Sequence, residues 1–389
     1  MISVEEAQAI IRAKIAGGES EVVPLAQAQG RILRETIGAD LDSPPFDRSA
    51  MDGYAVQGIH EHYRITGVIS TGGDDPEPLA EGEARRIYTG GRVPSGATVV
   101  MQEETSEDNG RLKLSTGAKL GWVRRQGEDF RQGTPLVESG ERLGPVALAV
   151  LASVGVHQVT VARRPRVSHL VTGNELVEVK AKPVGTQIRD SNSILICALV
   201  ERAGGFLQGQ RRLRDERDLL RLAVKEFEAE SDLLLISGGA SVGDFDFSRE
   251  ILREAGYTLH FEQVNVRPGK PMVVATAGNR VAMVLPGNPV SHYVCFHLFV
   301  RWALAARSGE KMAVKRLEGR VETDFEYKPN ARLTYWPMQW GEDGKVKPLR
   351  WESSGHLAAL LQTDGFMRIP EKRGRFEAGE RCEIELWEN

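Results

Sequence analysis

Three glycine-bearing turns hold the residues best suited to chemistry: Ser237-Gly-Gly-Ala-Ser-Val-Gly-Asp-Phe-Asp246, Val266-Arg-Pro-Gly-Lys-Pro271 and Pro286-Gly-Asn-Pro-Val-Ser291. Glycine lets the backbone approach a ligand closely, and N–H groups exposed in such turns attract anions. Arg267 and Lys270 add positive charge to the second turn, while Asp244 and Asp246 close the first. Those two aspartates would equally serve as caps for a helix starting near Phe247. Together the turns describe a crevice that handles an anion.

Short strands must carry these turns. Leu233–Ile236 and Val281–Leu285 are apolar throughout rather than alternating, which suits a parallel sheet covered on both faces. Ligands in such sheets sit beyond the carboxyl ends of the strands, where the turns fall. The alternation extends on both sides. A strand over 166–172 ends in Gly173-Asn-Glu175, Asp190-Ser-Asn192 caps a helix, and a strand lies near Phe206. Helices over about 216–229 and 247–255, a strand at Met272 and a last helix from Val290 to about Ala306 complete an α/β domain.

The flanking segments read differently. Ser3 and Glu6 form a capping box for a helix with Val4, Ala7, Ile10, Ile11 and Ile15 on one face, and a second short helix is expected over 25–32. Strands at 64–69, 83–87, 98–102, 111–114 and 121–123, punctuated by glycine, predict an all-β module. Pro145 opens another helix, expected to pair with the N-terminal one, so that the β module is an insertion. The C-terminal segment is rich in tryptophan and lacks helical periodicity. The division is 1–42 with 137–165, 43–136, 166–314 and 315–389.

Composition narrows the class. With 389 residues the chain exceeds one ordinary core, and 50 basic against 54 acidic residues give no nucleic-acid or anionic-membrane surface. Cys197, Cys295 and Cys382 are far apart, which suits neither a disulfide framework nor a cysteine metal site. No apolar run is long enough to span a bilayer, and a cytoplasmic protein is the expectation. His157, His169, His260, His292 and His297 show no metal-ligand spacing and are expected to be satisfied structural residues.

Seven motifs in order then carry a resemblance: Pro44-Pro-Phe-Asp-Arg-Ser-Ala-Met-Asp-Gly-Tyr-Ala-Val56, Thr89-Gly-Gly-Arg-Val-Pro94, Met101-Gln-Glu-Glu104, Thr172-Gly-Asn-Glu-Leu176, Ser237 to Gly243, Pro268-Gly-Lys-Pro271 and Leu285-Pro-Gly-Asn-Pro289. The chain resembles the molybdopterin molybdenumtransferases of molybdenum cofactor biosynthesis, the family that includes the C-terminal enzymatic domain of gephyrin. The resemblance implies a multidomain α/β and β fold: a helical linking domain, an inserted β domain, a central molybdopterin-binding-type α/β domain and a C-terminal β-barrel domain. It implies a homodimer with a composite active site. The implied reaction inserts molybdate into adenylylated molybdopterin and releases AMP, with magnesium required and molybdopterin adenylyltransferase as pathway partner.

On this resemblance Asp52, Thr89, Glu175, Asp244 and Lys270 are the expected catalytic residues. Asp244, Asp246 and Glu175 are expected to hold magnesium, a hard cation suited to carboxylates, with Asp52 a further acidic candidate. Gly238, Gly239, Ser241, Gly243, Arg267, Gly269, Lys270, Pro286, Gly287 and Ser291 are expected to bind the cofactor precursor. Asp129 and Asp215 fall where the family has acidic site residues. The bland readings are an Asx turn at Asp52, a turn hydroxyl at Thr89 and a solvated carboxylate at Glu175. Many members have lysine where this chain has Arg267, which keeps the charge but exchanges a point charge for a planar fork. The competing functions are adenylylation of molybdopterin and a non-catalytic scaffold of the same fold; turnover of the adenylylated substrate separates them.

Overall fold

A computed structural model describes residues 1–238 and 244–387, with 244–246 described through their backbone alone. The N-terminal helix α1, Val4–Lys14, opens on the expected box: the Ser3 hydroxyl accepts from the Glu6 N–H at 3.1 Å, and the Glu6 carboxylate accepts from the Ser3 N–H at 2.7 Å. Its partner differs from expectation. Val4, Ala7, Ile11 and Ile15 join a core with Phe296, Phe299, Trp302 and Leu304 near the end of the α/β region. Helix α2, Pro145–Ser153, instead buries Leu151 in a small core with Leu25, Leu33, Leu143, Val159 and Val161. An amphipathic stripe dictates that a face is buried without naming what buries it. Of the short helix expected over 25–32, only one 3-10 turn, Leu25–Gln27, forms.

Antiparallel pairing of Ser20–Pro24 with Gln158–Ala162, and of Ile37–Gly38 with Pro135–Val137, brings the outgoing and returning chain together. Between them a six-stranded sheet runs in the order 98–101, 53–56, 83–87, 62–69, 111–114, 105–108.

The central sheet carries strands β1 (Arg166–Thr172), β2 (Phe206–Leu213), β3 (Leu233–Ser237), β4 (Thr258–Gln263), β5 (Pro271–Ala277) and β6 (Arg280–Leu285), in the order β2-β1-β3-β6-β5-β4. The first four in that order are parallel; β5 is antiparallel to β6 and to the edge strand β4, so β5 alone runs against the rest. Val171, Ser237 and Leu285 lie level in register, so three strands end together. Helices α3 (Asn192–Arg202), α4 (Arg217–Glu228) and α5 (Asp244–Glu254) flank the sheet, α5 starting three residues before Phe247. Leu220, Val224, Phe227, Ile251 and Leu252 cover one face. Ile196, Leu199, Phe296 and Phe299 belong to the core on the other. The expected last helix is three pieces: α6 (Pro289–Cys295), a π-helical turn (Phe296–Val300) and α7 (Arg301–Ser308).

The C-terminal sheet runs in the order 266–267, 333–340, 365–369, 381–385, 316–320, with 346–348 beside 333–340 and one bridge joining Val321 to Val346. Its edge strand Val266–Arg267 belongs to the α/β region. Trp336, Phe366 and Trp387 share a single core with Tyr293 and Trp302. No helix among the described residues is long and apolar enough to cross a membrane.

Candidate functional site

Three strand ends open one cleft. β1 runs into Gly173-Asn174-Glu175, β3 into Gly238 and β6 into Pro286-Gly287-Asn288; from these turns Glu175, Gly238, Gly287 and Asn288, with Asn192 and Leu357, line a cavity of about 410 Å³. Gly238 crosses the end of β1 so closely, with φ +120°, that a Cβ there would lie 2.0 Å from the Thr172 carbonyl oxygen. Only glycine fits such a crossing.

Glu175 is held out by its loop. Asp215 and Asn174 brace the turn reciprocally: the Asn174 N–H donates to the Asp215 carboxylate at 3.1 Å, and the Asp215 N–H to the Asn174 side-chain oxygen at 3.3 Å. The Ile188 N–H donates to the Glu175 carbonyl at 2.8 Å, pairing Leu176–Val177 with Ile188–Arg189 as a lip. The Glu175 carboxylate is exposed and has no hydrogen-bond or ion-pair partner among the described residues. Its lone pairs are therefore available to a hard cation. Asp215, less prominent in the sequence, acts here by shaping the turn that presents Glu175.

The opposite wall comes from α3 and the C-terminal region. Asp190 caps α3 through the Ser193 N–H at 3.0 Å and the Ser193 hydroxyl at 2.5 Å. Asn192 donates to the Gly287 carbonyl at 2.5 Å. Asn288 donates to the Ser354 hydroxyl at 2.9 Å and the Val290 N–H to the Ser354 carbonyl at 3.0 Å, which draws Gly355 and Leu357 to the rim. Asn288 lies within a glycine turn and Asn192 within a helix-capping segment, but the sequence singles out neither as a site residue; Leu357 carries no signal in the sequence, since it is not a group that chemistry demands by type.

Arg267, Gly269, Lys270 and Ser291 do not line this cleft. A Cβ on Gly269 would lie 2.6 Å from the Cys295 sulfur, so the Arg267–Lys270 turn rests on α6. Arg267 stacks over Trp351 at 5.7 Å, and Ser291 is buried in the first turn of α6. Lys270 has no ion-pair partner among the described residues. Pro286 reaches the cleft through its neighbour Gly287, its own carbonyl pointing to His292. Gly239, Ser241 and Gly243 lie outside the described residues, as do the side chains of Asp244 and Asp246.

A second constellation sits on the β insertion. The Asp52 carboxylate accepts from the Thr89 N–H at 2.7 Å and the Thr89 hydroxyl at 2.8 Å. These bonds, the backbone one foremost, hold its pKa below the ordinary aspartate value. Gly53 beside it would place a Cβ 1.9 Å from the Val100 carbonyl oxygen, so the strand carrying Asp52 can pack only as glycine. Asp129 pairs with Arg124 and accepts from the Ser43 hydroxyl at 3.3 Å. No residue from 43–136 lines the Glu175 cleft. Within one chain Asp52 and Thr89 are brought together, and Glu175, Gly238 and Gly287 are brought together, as two separate groups.

Known proteins resemble this chain over most of its length. Residues 2–155 match the MoeA N-terminal region (domain I and II), 168–306 a probable molybdopterin binding domain and 320–387 the MoeA C-terminal region (domain IV). A molybdopterin molybdenumtransferase of Nostoc sp. is 35% identical over 371 residues, covering 90% of this chain and 85% of its own. That of Haemophilus influenzae is 32% identical over 387 residues, covering 94% of each. The crystal structure of a molybdopterin biosynthesis moeA protein from Pyrococcus horikoshii OT3 superposes with a TM-score of 0.84 at 27% identity over the whole of both chains.

Proposed function

The chain belongs to the molybdopterin molybdenumtransferase (MoeA) family, transferases of molybdenum cofactor biosynthesis, and from that premise we propose that the Glu175 cleft is where molybdenum is inserted into the pterin. The observation that carries the reading is the convergence of three strand ends on an unpaired carboxylate, with close-approach glycine at Gly238. In the proposed reaction molybdate is inserted into adenylylated molybdopterin, with release of AMP to give the molybdenum cofactor. The substrate comes from a molybdopterin adenylyltransferase, and the reaction is placed in the cytoplasm.

Magnesium is part of the proposal. The free Glu175 carboxylate suits it by donor chemistry, with Asp244 and Asp246 as the further oxygen donors proposed from the sequence. When bound, the ion neutralises charge on the phosphoanhydride as AMP departs. The chain's own groups orient the substrate: the glycine turns at Gly238 and Gly287 let the backbone approach its anionic oxygens, and the Leu176–Ile188 lip and Leu357 limit water at the rim. Lys270, without a carboxylate partner among the described residues, is the proposed phosphate or oxyanion contact from the adjoining turn.

The separation of Asp52 and Thr89 from the Glu175 cleft supports a homodimer in which each site joins the β insertion of one subunit to the α/β domain of the other. The Val321–Val346 bridge supports reading the C-terminal sheet as a barrel. Purified protein supplied with adenylylated molybdopterin, magnesium and molybdate should release AMP and metallated cofactor in equal amounts. Hydrolysis to AMP without metal insertion would overturn the assignment.

A further inference from the structure

Beneath the cleft runs a chain of polar side chains, entered from the exposed residue Gln210 and buried from His169 onward, in which every proton position is fixed by its two ends. The Gln210 side-chain NH2 faces the Ser193 carbonyl at 3.0 Å and His169 Nδ1 at 2.9 Å. A carbonyl oxygen only accepts, so the amide nitrogen is the group at that position, and His169 Nδ1 must accept its second hydrogen. His169 is then protonated at Nε2 and donates to the Ser237 hydroxyl at 2.6 Å. At the other end, His292 Nδ1 lies 3.0 Å from the Pro286 carbonyl and must donate to it. His292 Nε2 is therefore an acceptor, and takes the Ser237 hydroxyl hydrogen at 3.2 Å. The two imidazoles are opposite tautomers joined by one hydroxyl that accepts from the first and donates to the second.

All three central members, His169, Ser237 and His292, are completely buried. They come from β1, the last residue of β3 and α6, and Gln210 from β2, so the chain crosses the sheet directly below its strand ends. Burial holds His169 well below the ordinary histidine pKa and His292 at about 4. Both rings are neutral near pH 7, as the single-direction chain requires. A proton added to His292 Nε2 would confront the Ser237 hydroxyl with two donors and leave its hydrogen without an acceptor.

We propose that the Gln210–His169–Ser237–His292 chain positions the Pro286–Asn288 turn for the transfer reaction, with His292 and Ser237 as positioning residues that act through the Pro286 carbonyl. That turn supplies Gly287 and Asn288 to the cleft, and its second tether, from Asn192, grips the next carbonyl. Two carbonyls in succession are thus fixed from opposite sides. The chain also anchors Ser237, directly before the close crossing of Gly238 over Thr172. The proposal rests on reading the cleft as the site of molybdenum insertion.

Two substitutions divide His292 by atom. Asparagine places its NH2 near the position of Nδ1 and keeps a donor for Pro286; glutamine reaches the position of Nε2 and keeps an acceptor for Ser237. Loss of one buried tether corresponds to about a tenfold effect. The expectation is that His292→Gln raises KM for adenylylated molybdopterin about tenfold more than His292→Asn does, with both variants equally folded by thermal denaturation. Nitrogen NMR of histidine-labelled wild-type protein at pH 7, with His169 and His292 assigned among the eight histidines by single substitution, should show His169 as an Nε2–H ring and His292 as an Nδ1–H ring, and both signals should shift in Ser237→Ala as the hydrogen-bond partner is lost. Matching tautomers at these two positions, or a charged ring at either, would overturn the chain itself. Equal KM for the asparagine and glutamine variants, with tautomers as expected, would overturn the positioning role. Glu175→Gln serves as the control: wild-type turnover there overturns the reading of the cleft, and the role of the chain with it, while the tautomers still report whether the chain exists.

Discussion

Buried neutral histidines should make this protein lose stability in mild acid, and the amount can be worked out. His292 is held at about 4 by burial, against the ordinary value of 6.5. His297 is held at about 3 by burial, with the charges of Arg301 and Arg202 adding to it. For a histidine whose folded pKa is depressed, the unfolded chain binds the proton first. The stability from keeping it neutral is full above pH 6.5 and is lost as pH falls from there towards the folded value. Between pH 7 and pH 5 each ring should cost about 2 kcal/mol, and the pair about 4 kcal/mol. That is a large share of a typical folding free energy of about 5–15 kcal/mol. His169 shifts in the same direction. His297 permits a clean test because neither ring nitrogen has a hydrogen-bond partner among the described residues, and the ring lies between Trp387, stacked at 4.9 Å, and Tyr293 at 4.5 Å. His297→Phe therefore removes no hydrogen bond and keeps the aromatic packing. Urea unfolding followed by tryptophan fluorescence should show stabilities at pH 7 within about 1 kcal/mol of each other, and the variant ahead by about 2 kcal/mol at pH 5. Parallel pH dependences for the two proteins would refute the assignment of a buried neutral His297.

Three further outcomes follow from the geometry. Glu175→Gln should lower turnover by at least about a hundredfold while leaving the thermal midpoint unchanged, because the exposed carboxylate supports no contact in the fold; AMP release and calorimetry measure the two, and a rate near wild type removes Glu175 from the site. Gly238→Ala should destabilise the α/β domain by about 3 kcal/mol or more, since its Cβ would meet the Thr172 carbonyl at 2.0 Å; an unchanged urea midpoint would contradict the crossing. Asp52→Ala and Glu175→Ala, each inactive alone, should regain about a quarter of wild-type activity when mixed and allowed to exchange subunits, because about half of the dimers are then mixed and each of these has one intact site. Mixed dimers confirmed by mass spectrometry but still inactive would favour sites assembled within one chain.

The positions of β1, β3 and β6 were legible because their apolar runs admit little besides a covered parallel sheet, and the glycine turns followed from them. The direction of β5 was not, since burial on both faces leaves strand polarity open. The pairing of α1 failed for a related reason: Val4, Ala7 and Ile11 announce a buried face, while the larger apolar surface that receives it lies nearly three hundred residues onward, around Phe299. Glu175, Gly238 and Gly287 meet where the motifs put them. Asn192 and Leu357 reach the same cleft only through tertiary contacts. Of the histidines expected to be satisfied structural residues, His169, His260 and His292 have hydrogen-bond partners, while both ring nitrogens of His297 lack one among the described residues; what joins His169 and His292 is a serine distant from both in sequence, a relation no local pattern encodes.

Strand Val266–Arg267 forms the edge of the C-terminal sheet, and the core around Tyr293 and Trp302 continues into Trp336, Phe366 and Trp387. During synthesis these central residues leave the ribosome well before the partners that cover them. The middle of the chain must therefore wait, with an open strand edge and bare aromatic surface, until the residues from Leu333 to Trp387 are made. Such long-range closure slows folding and exposes nascent chains to association. A stop before Trp387 would damage far more than the residues it removes: it would leave Tyr293, His297 and Phe366 without the ring that covers them. Soluble yield after release of chains ending before Trp387, compared with the full chain, measures that dependence, and equal yields would show that the middle closes on its own.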